Sequence, residues 1–352
     1  MKHSNKRWMI WLGLVISAIF LFIAFREIQF AALWQTLISV QYGWLLPGLV
    51  IYFSAVLMRT WRWRFVLKPL KQVSLKTLFP IVTIGYMGND VFPLRMGEVL
   101  RAVVLKRRES ISISASLATI VVERIFDAVV VVGFVLLNLG QLIGLSGNDA
   151  LSQLGGVAAW VAVVFMVGLG MFILVAMYPL PAKRLMHSLF NRLLPEKLRQ
   201  PVIGVADQFL DGLMRLRSPK DAVVIFLITS LIWLLETGLY WCVNQALSLG
   251  LNFGQLMLLN GAVNLVLLIP AAPGGLGTFD AAGRAMLEAY GAASEPALGF
   301  TLVLRVALWL PITLVGTFFF IREGLKWTLD VSELESQAAP TGQETTKGST
   351  DD

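Results

Sequence analysis

The sequence is short of the residues that most enzymes rely on. It has a single cysteine and two histidines in 352 residues. The lone Cys242 lies inside an apolar run, so there is no disulfide framework, and it carries no information about redox compartment. His3 and His187 are far apart in basic, polar segments and read as solvated side chains. They supply neither a metal ligand set nor a Ser–His or Cys–His pair. The phosphate-loop pattern G-x-x-x-x-G-K-[ST] is absent, which argues against the chain powering itself with ATP. Charge is scarce too, at 14% of residues against about 25% in an average soluble domain.

Apolar residues are abundant instead, 57% of the chain, with a mean hydropathy of +0.72. That composition predicts an all-α polytopic membrane protein. The 29 basic residues exceed the 22 acidic ones, giving a net charge of +7. They cluster between apolar runs, which reads as a topology signal and not as a nucleic-acid surface.

Residues 1–7 carry Lys2, Lys6 and Arg7 before an apolar run over 8–25. The run exceeds the roughly 7–15 residues of a signal-peptide core and no small-residue cleavage site follows, so it reads as an uncleaved first span with a cytoplasmic N-terminus. Residues 26–41 are amphipathic and suit the outer interface. A second span over about 43–58 ends in a basic block, Arg59, Arg62, Arg64, Lys68, Lys71 and Lys76, expected on the cytoplasmic side, with Trp61 and Trp63 in the headgroup belt. This block reads as a topology anchor or as a collecting surface for anionic lipid. Further spans are expected over 125–142, 157–177, 222–247 and 297–321. A loop without basic residues covers 144–156, and an interfacial helix covers 202–216, with Asp207 and Asp211 on its polar face. The total is about six transmembrane helices. Residues 1–330 form one membrane domain, and 331–352 read as a disordered cytoplasmic tail.

Two stretches break this pattern. Residues 89–101 read Asn-Asp-Val-Phe-Pro-Leu-Arg-Met-Gly-Glu-Val-Leu-Arg, after an apolar run too short to span a bilayer. Basic clusters flank the segment on both sides, which predicts a re-entrant hairpin from the cytoplasm. Residues 269–280 read Ile-Pro-Ala-Ala-Pro-Gly-Gly-Leu-Gly-Thr-Phe-Asp, where Pro270, Pro273 and the glycines interrupt a helix that restarts at Thr278 as N-cap. This predicts a second hairpin, from outside, opposed to the first. Polar groups at such breaks survive only if protein or water surrounds them, and they are functional candidates.

The start of a second half-helix offers free amides and a positive dipole end, which suits a phosphate. Gly274, Gly275 and Gly277 allow close backbone approach. Asn89, Arg95, Arg101, Arg124 and Arg305 add donors for a lipid headgroup. Glu98, Glu123, Asp127 and Asp280 are acidic counterparts; Glu123 and Asp127, four apart, share a helix face. They pair with the arginines or take part in function, and both readings stand. Glu236, in the middle of an apolar span, is a fifth acidic counterpart.

These motifs resemble the transmembrane region of lysylphosphatidylglycerol synthases, a flippase-like family of inner-membrane proteins. The resemblance rests on Asn89-x-x-x-Pro93-x-Arg95-x-Gly97-Glu98-x-x-Arg101, on Glu123-Arg124-x-x-Asp127, and on Pro270-x-x-Pro273-Gly274-Gly275-Leu276-Gly277, with Arg305, Pro311 and Gly316 similar to the family's last span. It extends over roughly residues 8–325. Asp280 stands where the family usually has Glu. The synthases continue into a soluble domain that transfers lysine from tRNA to lipid, and no such domain follows in this sequence. The resemblance therefore implies lipid translocation or handling, and not aminoacyl transfer. It also implies a bacterial inner-membrane location and a substrate among phospholipids, polyprenyl-linked lipids and hopanoids.

The expectation is a lipid translocase without catalytic residues, metal or cofactor. The alternatives are a non-transporting membrane partner of a lipid-synthesis enzyme, or an enzyme that modifies a lipid with Glu98 or Asp127 as general base.

Overall fold

The computed structural model describes residues 18–25, 28–92, 96–138, 179–193, 219–267 and 273–324, with a few single positions besides. Among the described residues, a helical segment at Ala18–Phe25 is followed by ten α-helices: α1 (Phe30–Ser39), α2 (Leu45–Leu67), α3 (Leu75–Val91), α4 (Gly97–Glu109), α5 (Ile113–Leu137), α6 (Pro179–Leu193), α7 (Pro219–Leu247), α8 (Phe253–Val266), α9 (Thr278–Ala289) and α10 (Ser294–Arg322). No strand occurs among the described residues.

Their starts are written locally. The Ser74 and Ser112 side chains accept hydrogen bonds from the Thr77 and Ala115 amides. Asn252 and Gln255 cap each other reciprocally at the head of α8. Replacing Asn252 by Ala is expected to destabilise the protein by about 1 kcal/mol, read as a lowered unfolding midpoint in detergent.

Among the described residues three helices are long and apolar enough to cross a membrane: Tyr42–Leu67, Lys220–Leu247 and Ser294–Arg322. Ala18–Phe25 and Phe30–Ser39, bent by 85°, make a fourth if taken as one span. Six spans were expected; that over 157–177 and half of that over 8–25 lie outside the described residues, as do the 144–156 loop, most of the 202–216 helix and the 331–352 tail. The span expected over 125–142 is instead α5, which begins at Ile113, ends at Leu137 and carries three charges.

The helix α2 corrects another expectation. It does not stop at Met58 but continues to Leu67. Its buried stripe runs through Tyr52, Val56, Arg59, Arg62, Trp63 and Val66, at the three-to-four spacing of one helix face. Arg59 and Arg62 therefore point into the bundle and not toward a cytoplasmic surface. Trp63 is fully buried, whereas Trp61 keeps the exposure expected of the headgroup belt.

The helices α2 and α7 pack antiparallel. The Gln41 amide donates to the Ala246 carbonyl, while deeper in the pair Arg62 meets Thr229. Gly48 lies against Leu239 and Cys242, and Gly238 against Ile51, so the two axes approach closely, as small residues allow in membrane bundles.

The last helix, α10, is the ruler of the fold. Near its start, Thr301 packs on Gly283 of α9. Arg305 then reaches Asp280, Trp309 touches Gly274, and Thr313 bonds Asp90 of α3. Gly316 packs on Thr83 and Met87, Phe319 meets Phe79 edge-on, and Glu323 pairs with Arg108 of α4. Thus α8–α9 lies along the first half of α10 and α3–α4 along the second. Each pair is a helical hairpin with both ends together. Lys71 Nζ is 2.7 Å from Glu109 Oε2 at the base of α3–α4, and the Tyr290 hydroxyl donates to the Gln255 carbonyl at the base of α8–α9. The bases lie at opposite ends of α10, and the turns meet near its middle.

Candidate functional site

The expected site residues fall into two buried clusters on either side of that meeting point. The first joins α2, α4, α5 and α7. Arg62 Nη1 is 2.6 Å from Asp127 Oδ1 and 2.9 Å from Thr229 Oγ1, and its Nε is 3.4 Å from Glu123 Oε1. Arg101 Nη2 donates to the other oxygen of Glu123 at 2.9 Å, with its guanidinium 4.1 Å above the Trp63 ring, a favourable cation–π contact. Arg124 approaches Asp127 at 3.4 Å and Glu98 at 3.8 Å. Trp233 Nε1 donates to Asp127. Arg59 pairs with Glu236 next door and faces the Tyr86 ring.

Three cations and three carboxylates balance in the first set, and one of each in the second. Low-dielectric surroundings require that, because an unmatched buried charge costs several kcal/mol. Glu123 and Asp127 do share a helix face, but their principal partners come from other helices.

Asn89 ties the α3–α4 turn. Its Oδ1 accepts from the Gly97 amide at 3.0 Å, and Gly97 packs directly on the Gly85 carbonyl. Arg95 and Pro93 lie outside the described residues.

The second cluster is the other turn. Gly274, Gly275 and Gly277 have φ of 66°, 63° and 82°, left-handed values that suit glycine. Gly274 and Gly275 turn their carbonyls toward α10, where Arg305 collects them. Nη1 donates to Gly274 O at 2.9 Å and Nη2 to Gly275 O at 3.1 Å, while Nε and Nη2 reach both oxygens of Asp280 at 3.0 and 2.7 Å. Asp280 Oδ2 also accepts from the Gly277 amide at 3.1 Å. A carboxylate of the chain itself thus occupies the helix start that suits a phosphate. The N-cap is Gly277, not Thr278, whose hydroxyl instead donates back to Gly275 O.

Between the clusters, Thr313 Oγ1 donates to Asp90 Oδ2 at 3.1 Å, and Asp90 and Gly274 are neighbours. On α8, Asn260 donates to Thr237, and Asn264 donates to Asn260, a polar stripe that descends toward the break.

Arg59, Arg62, Asp90, Thr313 and the two asparagines were not among the expected site residues. Arg59 and Arg62 had a visible signal, three-residue spacing in register with the apolar stripe of α2. Asp90 stood inside the first motif. Thr313, Asn260 and Asn264 had none. His187, expected to be solvated, pairs with Asp207 at 2.9 Å. Among the described residues no group of three or more His, Cys, Asp or Glu side chains is placed to hold a metal ion.

Residues 10–316 match the family described as the lysylphosphatidylglycerol synthase TM region. The chain belongs to this family. It is an integral membrane protein, and its members include one from Pyrococcus horikoshii, a UPF0104 membrane protein, which is 25% identical over 77% of this chain and 85% of its own length. A UPF0104 membrane protein of Methanothermobacter thermautotrophicus is 24% identical over 77% and 81%. The glycosyltransferase AglD of Haloferax volcanii is 27% identical over 76% of this chain but only 46% of its own length. These relatives are archaeal, so family membership lends no support to a specifically bacterial membrane.

Proposed function

We propose that the protein moves a phosphate-bearing amphipathic lipid between leaflets, with the headgroup passing where the two turns meet. One observation carries this reading: two helical hairpins, based at opposite ends of α10, touch turn to turn at Asp90 and Gly274. Broken helices opposed at mid-depth are the arrangement from which transporter folds build their sites. Here both hairpins are re-entrant. Lys68, Lys71, Lys76, Lys106, Arg107, Arg108, Lys220 and Arg322 gather at one end of the bundle and mark it as cytoplasmic, whereas near the opposite end Arg284 is matched by Glu288.

In the present arrangement the passage is shut. Arg305 is spent on Gly274, Gly275 and Asp280. A headgroup phosphate is the natural competitor for it, since an arginine fork binds phosphate in two-pronged fashion. Taking Arg305 from the two carbonyls releases the α8–α9 turn from α10 and opens the point of contact. The Arg62–Glu123–Asp127–Arg101 cluster then serves to hold α2, α5 and α7 rigid against that movement. The substrate class is a phospholipid, a polyprenyl-linked lipid or a hopanoid.

The test uses the full chain in phosphatidylcholine vesicles containing a trace of a fluorescent phospholipid or polyprenyl phosphate. Bleaching of the outer leaflet reports movement. The wild type is expected to exceed protein-free vesicles. Arg305→Ala, which deletes the fork that engages the phosphate along with the latch, should slow it at least tenfold, about the effect of 1.4 kcal/mol on a barrier, and Arg64→Ala should not. Equal rates with and without protein for every probe would overturn the reading.

The name of the Haloferax relative favours one alternative, a membrane component that serves a glycosyltransferase. It predicts co-purification with such an enzyme and no lipid movement by the isolated chain.

A further inference from the structure

A groove of about 500 Å³ opens at the base of the first hairpin, lined by Leu57, Leu75, Lys76, Phe79, Pro80, Arg108, Phe319, Arg322 and Glu323. We propose that it is a docking site for one anionic phospholipid, separate from the meeting point of the turns. Lys76 is 14 residues from Asp90, about 20 Å along a helix.

Three features point to that occupant. The first is charge. Three cations face one carboxylate, and Arg108 already holds that carboxylate, donating from Nε to Glu323 Oε2 at 2.9 Å. Lys76 and Arg322 stay exposed and enter no ion pair among the described residues. The second is the position of Lys76. It sits in the first turn of α3, where the positive end of the helix dipole disfavours a cation. Ser74 already takes the Thr77 and Leu78 amides, so an anion bound at the Lys76 side chain and the Leu75 and Lys76 amides removes that conflict. The carbonyl of Lys76 also has no helical donor, because residue 80 is proline, which leaves an acceptor for a headgroup N–H or O–H.

The third feature is the gradient along the groove. Its charged members lie at helix ends. Phe79, Pro80 and Phe319 follow about one turn inward, and Leu57 lies deeper, ten residues before the end of α2. A free phosphate would use only the rim. A lipid would use both, with its phosphate between Lys76 and Arg322 and an acyl chain over Phe79 and Leu57. The site does not depend on translocation, and a chain that moves no lipid would still bind here.

The experiment titrates detergent-solubilised full-length protein with dioleoylphosphatidylserine, dioleoylphosphatidylcholine and soluble glycerophosphoserine, and reads bound ligand by native mass spectrometry. Phosphatidylserine is expected to bind well above phosphatidylcholine, and glycerophosphoserine not measurably. Each cation near a membrane surface is worth about fivefold in affinity for an anionic lipid, so Lys76→Gln with Arg322→Gln should lose about 25-fold. Lys76→Arg should keep binding, which guards against a misfolded double variant. Leu57→Trp, which fills the apolar end, should weaken phosphatidylserine with both cations intact. Equal binding of the two lipids, or an unchanged double variant, would overturn the proposal. Binding of glycerophosphoserine as tight as the lipid would mean a plain anion site and would overturn it too.

Discussion

Arg62→Ala is expected to destabilise the protein by about 3–5 kcal/mol, the cost of stripping one partner from a buried ion cluster. Arg64→Ala, two residues on, should stay within about 0.5 kcal/mol, as surface changes do. Both remove an arginine from the same helix, and composition does not distinguish them. The difference lies in surroundings. Arg62 is 1% exposed and, among the described residues, is the cation that bonds both Glu123 and Asp127. Without it, Arg101 retains Glu123, and Arg124 retains Asp127 only at 3.4 Å. Asp127 then stands under-compensated among apolar side chains. Arg62→Lys should recover only part of the loss, because an ammonium cannot serve Asp127, Thr229 and Glu123 with a planar fork. Unfolding in a graded denaturing detergent, followed by tryptophan fluorescence, gives the ranking. Comparable losses for Arg62→Ala and Arg64→Ala would contradict the buried network.

Gly97→Ala is expected to open the first hairpin. A methyl group at residue 97 would overlap the Gly85 carbonyl oxygen and come within 2.6 Å of the Asn89 amide nitrogen. Both obstacles are backbone and cannot rotate aside. Overpacking ordinarily costs about 1–3 kcal/mol, and rigid obstacles put this case at the upper end. The strain acts on one contact, so the effect is also local. The Asn89–Gly97 hydrogen bond breaks and α4 separates from α3, which moves Arg101 away from Glu123. Hydrogen exchange should rise in 97–105 and 85–92, while Gly133→Ala, with open space around it, should leave exchange unchanged. An unaltered hairpin in Gly97→Ala would show that the close approach of α3 and α4 is not required.

Much of the architecture was legible because helix breaks are local signals. Pro93, Gly97, Pro270 and the 273–277 glycines interrupt propagation by themselves, and the basic flanks at Lys71 and Lys106 tell that the first segment returns to its starting side. The site's partnerships were not legible, because they are non-local. Asp90 and Thr313 are 223 residues apart, and Arg305 spends its donors on carbonyls that no side-chain pattern advertises. At Arg59 and Arg62 the sequence misled for a physical reason. The positive-inside rule counts cations by position along the chain, whereas burial depends on the angle around the helix. Arg59 and Arg62 were therefore grouped with Arg64 and Lys68, although they share a stripe with Val56 and Val66.

The Arg62 cluster also sets an order of events during synthesis. Arg62 precedes Glu123 by 61 residues and Asp127 by 65. At about 5–20 residues per second, α2 leaves the ribosome roughly 3–12 s before either counter-charge exists. Through that interval the nascent helix carries an unneutralised guanidinium that lipid will not accept. It must wait beside the insertion machinery, or at the water boundary, until α5 arrives. A cysteine placed beside Arg62 should be labelled by a water-soluble reagent in a chain stalled between these two points, and protected in one released after α5.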